Sequence, residues 1–313
     1  MQQPLVSILI PAFNADRTIA IAIKSCLSQT YTNIEVLVLN DGSIDYTATE
    51  INKFEKIRII NHELNLGIAS SRNRLLKEAK GEYIAWLDAD DTMAKDRIEK
   101  QMDYLQKHPE VDVVGSWITT DSKSIAFKKL PTKSNLIKAH LWFKNCMVQP
   151  SILSKNFYVA EGVFYNSQYD YMEDYELWYR MSKTKQFGNV PAFLNKYHMP
   201  STRNLEQKLE QYDFETKLNA LWDIKWRDMN VDLDATQKRD FQNFLYKFNK
   251  VRWSEVRNIK TVLNQVKNNE NGLMVHYYRL LLFTRLSFLK KLVNFHLLFS
   301  AVWYPVMKYR YLV

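Results

Sequence analysis

The chain reads as an α/β protein with a mostly parallel sheet flanked by helices, followed by a helical C-terminal region. Residues 5–10, 34–39, 57–60, 83–87 and 111–114 are short, mostly apolar runs, the pattern of strands buried on both faces. Amphipathic stretches separate them, and strand–helix alternation with short connections predicts a parallel sheet. After about Leu205 glycine nearly vanishes, leaving Gly272, and Leu209, Tyr212, Phe214, Leu218, Leu221 and Trp222 recur at helical spacing. These observations divide the 313 residues into a domain over 1–205 and a helical domain over 206–313.

The helices follow from local signals. Ile19, Ile23 and Cys26 with Leu27 form one apolar stripe, opened by Asp16 or Thr18. Leu75, Leu76 and Ala79 form a second, stopped by Gly81. Ile98, Met102 and Leu105 form a third, between Asp96 and Pro109. Glu173 and Asp174 open a fourth, with Leu177, Trp178 and Met181 on one face.

Composition narrows the class. With 46% hydrophobic and 25% charged residues the chain can build a sizeable core. Two cysteines, Cys26 and Cys146, are too few for a disulfide scaffold and read as buried thiols in a reducing compartment. The N-terminus lacks the pattern of a secretion signal. The longest near-apolar run, 292–307, is broken by Asn294, His296 and Pro305, so no spanning helix is expected. A cytoplasmic protein follows. Of the net charge of +9, residues 1–205 carry +2 (25 basic, 23 acidic) and residues 206–313 carry +7 (18 basic, 11 acidic). From Gly272 onward Arg279, Arg285, Lys290, Lys291, Lys308 and Arg310 interleave with aromatics, and no acid occurs. That stretch fits either a helical domain or a peripheral contact with an anionic membrane surface on the inner face of the plasma membrane. A nucleic-acid partner is not expected, because the acids of the N-terminal half gather at its predicted site.

Parallel sheets bind ligands at the carboxyl ends of their strands. There the sequence places Pro11-Ala12-Phe13-Asn14, Asn40-Asp41-Gly42-Ser43 and Asp88-Ala89-Asp90-Asp91. Carboxylates two apart at a strand end share a hard cation, and Mg2+ or Mn2+ there would neutralise a departing diphosphate. Acidic caps on a strand-to-helix turn give the same pattern without function.

The residues from Val6 to Asn14, Ser28-Gln29-Thr30-Tyr31 with Asn40-Asp41-Gly42-Ser43, Asn65-Leu66-Gly67 through Arg72-Asn73, Gly81-Glu82-Tyr83 through Asp91, and Glu173-Asp174-Tyr175-Glu176-Leu177-Trp178 together resemble the family 2 glycosyltransferases of the GT-A fold, a Rossmann-like nucleotide-diphospho-sugar transferase fold. The resemblance runs over about residues 5–200 and implies a metal-dependent, inverting hexosyl- or N-acetylhexosaminyltransferase of bacterial surface polysaccharide. It implies a UDP-sugar donor and a saccharide or polyprenyl-linked acceptor. Carried over by position, the backbone at Pro11, Ala12 and Phe13 with Asn14, and the side chain of Asp41, hold the base. Arg72 lies near base or phosphates, and Asp88 with Ala89 lies at the ribose. Asp90 binds the metal, and Asp174, or less favourably Glu173, is the catalytic base. His198 falls where similar proteins often place a histidine near metal or diphosphate. Gln149 replaces the histidine of the usual His-Pro-Ser. Processive relatives carry Gln-x-x-Arg-Trp; here Asn249-Lys250-Val251-Arg252-Trp253 departs at its first residue, which favours single-sugar addition. A non-catalytic scaffold is disfavoured by the joint presence of Asp41, Asp90 and Asp174. A sugar-phosphate nucleotidyltransferase is disfavoured because residues 11–14 are not a glycine- and basic-rich loop.

Overall fold

The computed structural model describes residues 3–121, 126–198, 213–246 and 253–267. The expected domain boundary at 200–206, the basic aromatic stretch 272–313 and residues 249–252 lie outside the described residues. The chain forms two compact units, residues 1–138 with 145–218, and residues 139–144 with 219–313.

In the first unit the order is β1 (Val6–Ala12), α1 (Ile19–Leu27), β2 (Ile34–Asp41), α2 (Thr47–Ile51), β3 (Arg58–His62), α3 (Ile68–Glu78), β4 (Tyr83–Trp86), β5 (Thr92–Met93), α4 (Arg97–Lys107), β6 (Val113–Thr120), β7 (Phe127–Lys128), α5 (Ser134–Leu141), β8 (Leu153–Lys155), α6 (Tyr158–Glu161), α7 (Glu173–Met181) and β9 (Phe187–Tyr197). The sheet runs β3-β2-β1-β4-β8-β6-β9-β5, with β7 paired to β6. β3, β2, β1 and β4 are mutually parallel, as the apolar runs predict. Beyond β4 the sheet is mixed: β8 is antiparallel to both β4 and β6, whereas β9 runs parallel to β6.

β1 is central, and all seven of its side chains are buried. Ile8, Ile10, Val36, Val38, Ala85 and Leu87 meet Ile19, Ile23 and Cys26 of α1 and Ile98, Met102 and Leu105 of α4 in one core. Pro11 is tolerated in this strand because the β4 ladder has already ended at the Leu9–Trp86 pair, so its missing N–H breaks nothing there. Cys26 and Cys146 are buried and free, and burial pushes the Cys26 thiol up to about 12.

Arg97 is fully buried beneath the β4 end. It donates to the carbonyls of Trp86 and Ile152 and to the Gln101 side chain, each at 3.0 Å. Gln101 in turn donates to the carbonyls of Val114 and Ser151. One guanidinium thus holds together the strand ends that carry the acidic turn, and burial lowers its pKa to about 9.

Three helices follow, as glycine depletion predicts: α8 (Phe214–Asp228), which belongs to the second unit from residue 219 on, α9 (Ala235–Tyr246) and α10 (Trp253–Lys267). Trp222, Trp226 and Phe241 pack together there, and the buried Lys225 ammonium donates to the carbonyls of Leu141 and Trp142. Among the described residues no helix is long and apolar enough to cross a membrane.

Gly42 closes the turn after β2 at φ +66°, and a Cβ there would lie 2.5 Å from the Leu64 carbonyl carbon. Gly42→Ala combines left-handed strain of about 1–2 kcal/mol with overpacking of about 1–3 kcal/mol. Thermal unfolding should show a clear fall in Tm; an unchanged Tm would mean that this turn does not hold the two loops together.

Candidate active site

Five strand ends and one helix start build the site. β1 delivers residues 11–14. Pro11 and Ala12 are buried within the strand, and the Phe13 ring stands 46% exposed at the rim. Asn14 adopts φ 49°, a region asparagine tolerates. Its amide N–H donates to the Ser43 hydroxyl and its side-chain oxygen accepts the Ile44 N–H, both at 3.0 Å, so the loops after β1 and β2 are latched together.

β2 delivers Asp41. The carboxylate is 3% exposed and meets His62 Nδ1 at 2.7 Å, with the N–H groups of Leu66 and Gly67 each at 3.0 Å. Asp41 and His62 are register partners on adjacent parallel strands, which is why they meet. Three donors leave about one acceptor position of the carboxylate for a ligand N–H. His62 was not singled out in the sequence, because only strand register brings it to Asp41.

β4 delivers the acidic turn. Ala89 is buried and Asp90 is exposed. Asp88 Oδ1 accepts from Arg72 Nη2 at 3.2 Å. Asp91 is 1% exposed; its Oδ1 accepts the His198 N–H at 2.7 Å, and its Oδ2 has no hydrogen-bond partner. Burial, then the charge of Asp88, pushes the Asp91 carboxyl up to about 9. The backbone contact ties the end of β9 to this turn. The His198 imidazole itself faces Asp121, Nδ1 to Oδ2 at 2.5 Å. Among the described residues no group of three or more His, Cys, Asp or Glu side chains is set to hold a metal ion. Tyr197, beside it, has its phenol pKa raised by burial and then by Asp88, Asp91, Asp90 and Asp174, which places the ring among the acids.

α7 delivers Glu173 and Asp174 at its first turn, where the helix dipole favours anions. Their environments differ. Glu173 is 5% exposed and paired with Arg72. Asp174 is half-buried; its Oδ2 accepts from Asn145 Nδ2 at 2.9 Å, and its Oδ1 accepts the Tyr175 N–H at 2.6 Å. Burial raises the Asp174 carboxyl, while Arg72, the Tyr175 N–H and Asn145 pull it back. Arg72, expected beside base or phosphates, is only 4% exposed, and its guanidinium is spent on Asp88 and Glu173. Gln149 is buried too, donating to the Tyr165 hydroxyl at 2.7 Å.

Comparisons with known proteins bear on the family and the fold. The Glycosyl transferase family 2 model matches residues 7–158, a match that stops short of α7. An uncharacterized glycosyltransferase of Haemophilus influenzae is 34% identical over 212 residues, 63% of this chain and 66% of that protein. Another, from Methanocaldococcus jannaschii, is 30% identical over 228 residues, 68% of this chain and 78% of that protein. The UDP-Glc:alpha-D-GlcNAc-diphosphoundecaprenol beta-1,3-glucosyltransferase WfgD of Escherichia coli is 29% identical over 231 residues, 72% of this chain and 86% of that protein. Among solved structures, residues 1–349 of S. aureus TarS superimpose with a TM-score of 0.58 at 16% identity, over 95% of this chain and 88% of that one. The mannosyltransferase PcManGT of Pyrobaculum calidifontis, in complex with GDP-Man and Mn2+, gives 0.55 at 13% identity, over 96% and 88%. The chain belongs to the family 2 glycosyltransferases and has their GT-A fold.

The Asn145 amide stabilises the ionised form of Asp174. In Asn145→Ala the carboxyl should therefore titrate higher, moving the acid limb of the turnover–pH profile to higher pH. A profile identical to that of the parent chain would show that Asp174 is not the group titrating on that limb.

Proposed function

We propose that the chain transfers a single sugar from a UDP-sugar to a saccharide acceptor carried on a polyprenyl diphosphate, with inversion at the anomeric carbon and with Mn2+ or Mg2+. The observation that carries this reading is the convergence of Asp88 of the β4 acidic turn and Glu173 of α7 on one guanidinium, with the adjacent Asp174 outside the ion pair. The transferred sugar is a hexose or N-acetylhexosamine. TarS, determined with UDP and with UDP-GlcNAc, supports the uridine donor, and the printed activity of WfgD supports the lipid-linked acceptor. The acceptor would be met at a membrane surface on a surface-polysaccharide pathway, and the basic stretch 272–313 supports that contact.

In this reading Asp41 receives a base N–H beside residues 11–14, and Asp88 meets the ribose. Asp174 takes the proton of the acceptor hydroxyl as that oxygen attacks the anomeric carbon and the nucleoside diphosphate leaves. A carboxyl raised by burial is a stronger base than a solvated aspartate, and the Asn145 and Tyr175 N–H groups fix its orientation. Glu173, locked to Arg72, supports the base and does not take the proton.

The acidic turn fits a hard divalent cation. Mg2+ and Mn2+ sites commonly use one or two carboxylates and complete their shell with substrate phosphates and water, so Asp90, assisted by Asp88, suffices without a protein cage. Asp91 Oδ2, buried without a partner at the same turn, is a further hard oxygen. A bound ion would neutralise charge on the departing diphosphate. The Asp121 contact of the imidazole argues against His198 as a ligand.

Calorimetry with UDP, GDP and CDP, each with and without Mn2+, tests the donor. UDP should bind best, with Mn2+, and the metal dependence should disappear in Asp90→Ala; preference for another nucleotide overturns the uridine assignment. Asp174→Asn should retain UDP binding and lose at least about 10²-fold in turnover. Near-normal turnover in that variant removes Asp174 as the base.

A further inference from the structure

We infer that Arg72 is a positioning residue, a buried brace that sets the catalytic helix α7 against the donor-side acidic turn, and not a ligand of the nucleotide. The inference rests on the proposed role of Asp174. Its basis is where the guanidinium lies. Nη1 pairs with Glu173 and Nη2 with Asp88, so both ends of the fork are occupied by protein carboxylates. Its Cζ lies over the rings of both Trp86, 5.9 Å from the centroid, and Tyr165, at 5.4 Å. Those rings meet edge to face at 5.7 Å. With 4% of Arg72 exposed, a diphosphate reaches it only by displacing Asp88 or Glu173.

The brace is one of several ties between α3 and the segment leading into α7. Asp170 accepts the Ala69 N–H at 3.2 Å at the start of α3. Asn73 holds the backbone of Tyr165 from both sides, accepting its N–H and donating to its carbonyl, each at 2.8 Å. Arg72 adds the charged tie, and it alone also reaches the β4 turn. The two ends of the proposed reaction are thereby fixed to one side chain: the acid at the donor ribose and the residue preceding the base. Glu173 Oε2 and Arg72 Nε are buried without hydrogen-bond partners, so the pair sits in a dry setting where losing either member leaves an uncompensated charge.

This predicts a separation of binding from turnover. In the full chain, Arg72→Lys keeps the charge but loses the fork, Glu173→Gln keeps the volume but loses the charge, and the double variant loses the interaction outright. Each single variant should bind UDP with Mn2+ within about threefold of the parent by calorimetry, while kcat per UDP-binding site falls about 10- to 100-fold, the scale expected for misplacing a catalytic group by about 1 Å. The double variant should be no more than about threefold worse than the poorer single, because both remove one interaction. Several results overturn the inference: UDP affinity falling tenfold or more in Arg72→Lys, additive losses in kcat, or a lowered Tm with kcat per binding site unchanged. Asp174→Asn run alongside distinguishes the failures. Retained turnover there removes the proposed base and the brace with it, whereas an inactive Asp174→Asn beside a fully active Arg72→Lys removes only the brace.

Discussion

The ion pair of Arg72 with Asp88 and Glu173 is the constraint around which the site is arranged. Two carboxylates on different elements are brought to one guanidinium, which bridges them. Burial opposes the charge of Glu173 and of Arg72. The Glu173 carboxyl is pushed up by burial and drawn back by Arg72, while both carboxylates hold the arginine protonated. Such an arrangement adds little net stability compared with well-packed apolar residues, yet it is costly to break. Its value lies in geometry, since it fixes where α7 begins relative to the end of β4.

The sheet supplies the rest of that geometry. Four parallel strands end on the same side, so the loops after β1, β2, β3 and β4 meet there. Their contacts with each other are polar and local: Asn14 to Ser43 and Ile44, Asp41 to Leu66 and Gly67. The reversal of direction at β8 then lets β6 and β9 bring residues from the second half of the unit beside the same edge, where Asp91 anchors the end of β9. Beneath them Arg97 satisfies carbonyls at the β4 and β8 ends, so the acidic turn stands on a rigid base.

β1, β2 and β4 could be read from the sequence because they are largely buried and each shows as a mostly apolar run, whereas β3 is only partly buried and carries Arg58 within its run. β5 and β7 are two residues long and β8 is three, too short for any pattern. β9 contains Gly188 and Pro191, which ordinarily count against a strand, and pairs with β6 through register shifts near Trp117. The acidic residues of the site were visible as motifs at strand ends and at a helix start. Their partners were not: His62 reaches Asp41 through strand register, Asn145 reaches Asp174 across 29 positions, and Arg72 reaches Glu173 across 101. No local pattern encodes such meetings. Arg72 is the instructive case: its position in the motif suggested a ligand contact, and in the fold its guanidinium meets Asp88 and Glu173.

Single displacement at the anomeric carbon, with Asp174 as the base on the acceptor side, is the central claim, and its stereochemistry tests it most directly. Proton NMR can follow the anomer first released when the chain, with UDP-α-linked sugar and Mn2+, transfers the sugar to water or to a simple saccharide. Release of the β-anomer, absent in Asp174→Asn, is the expected result. Release of the α-anomer would mean retention, and a single displacement assisted by Asp174 would be wrong.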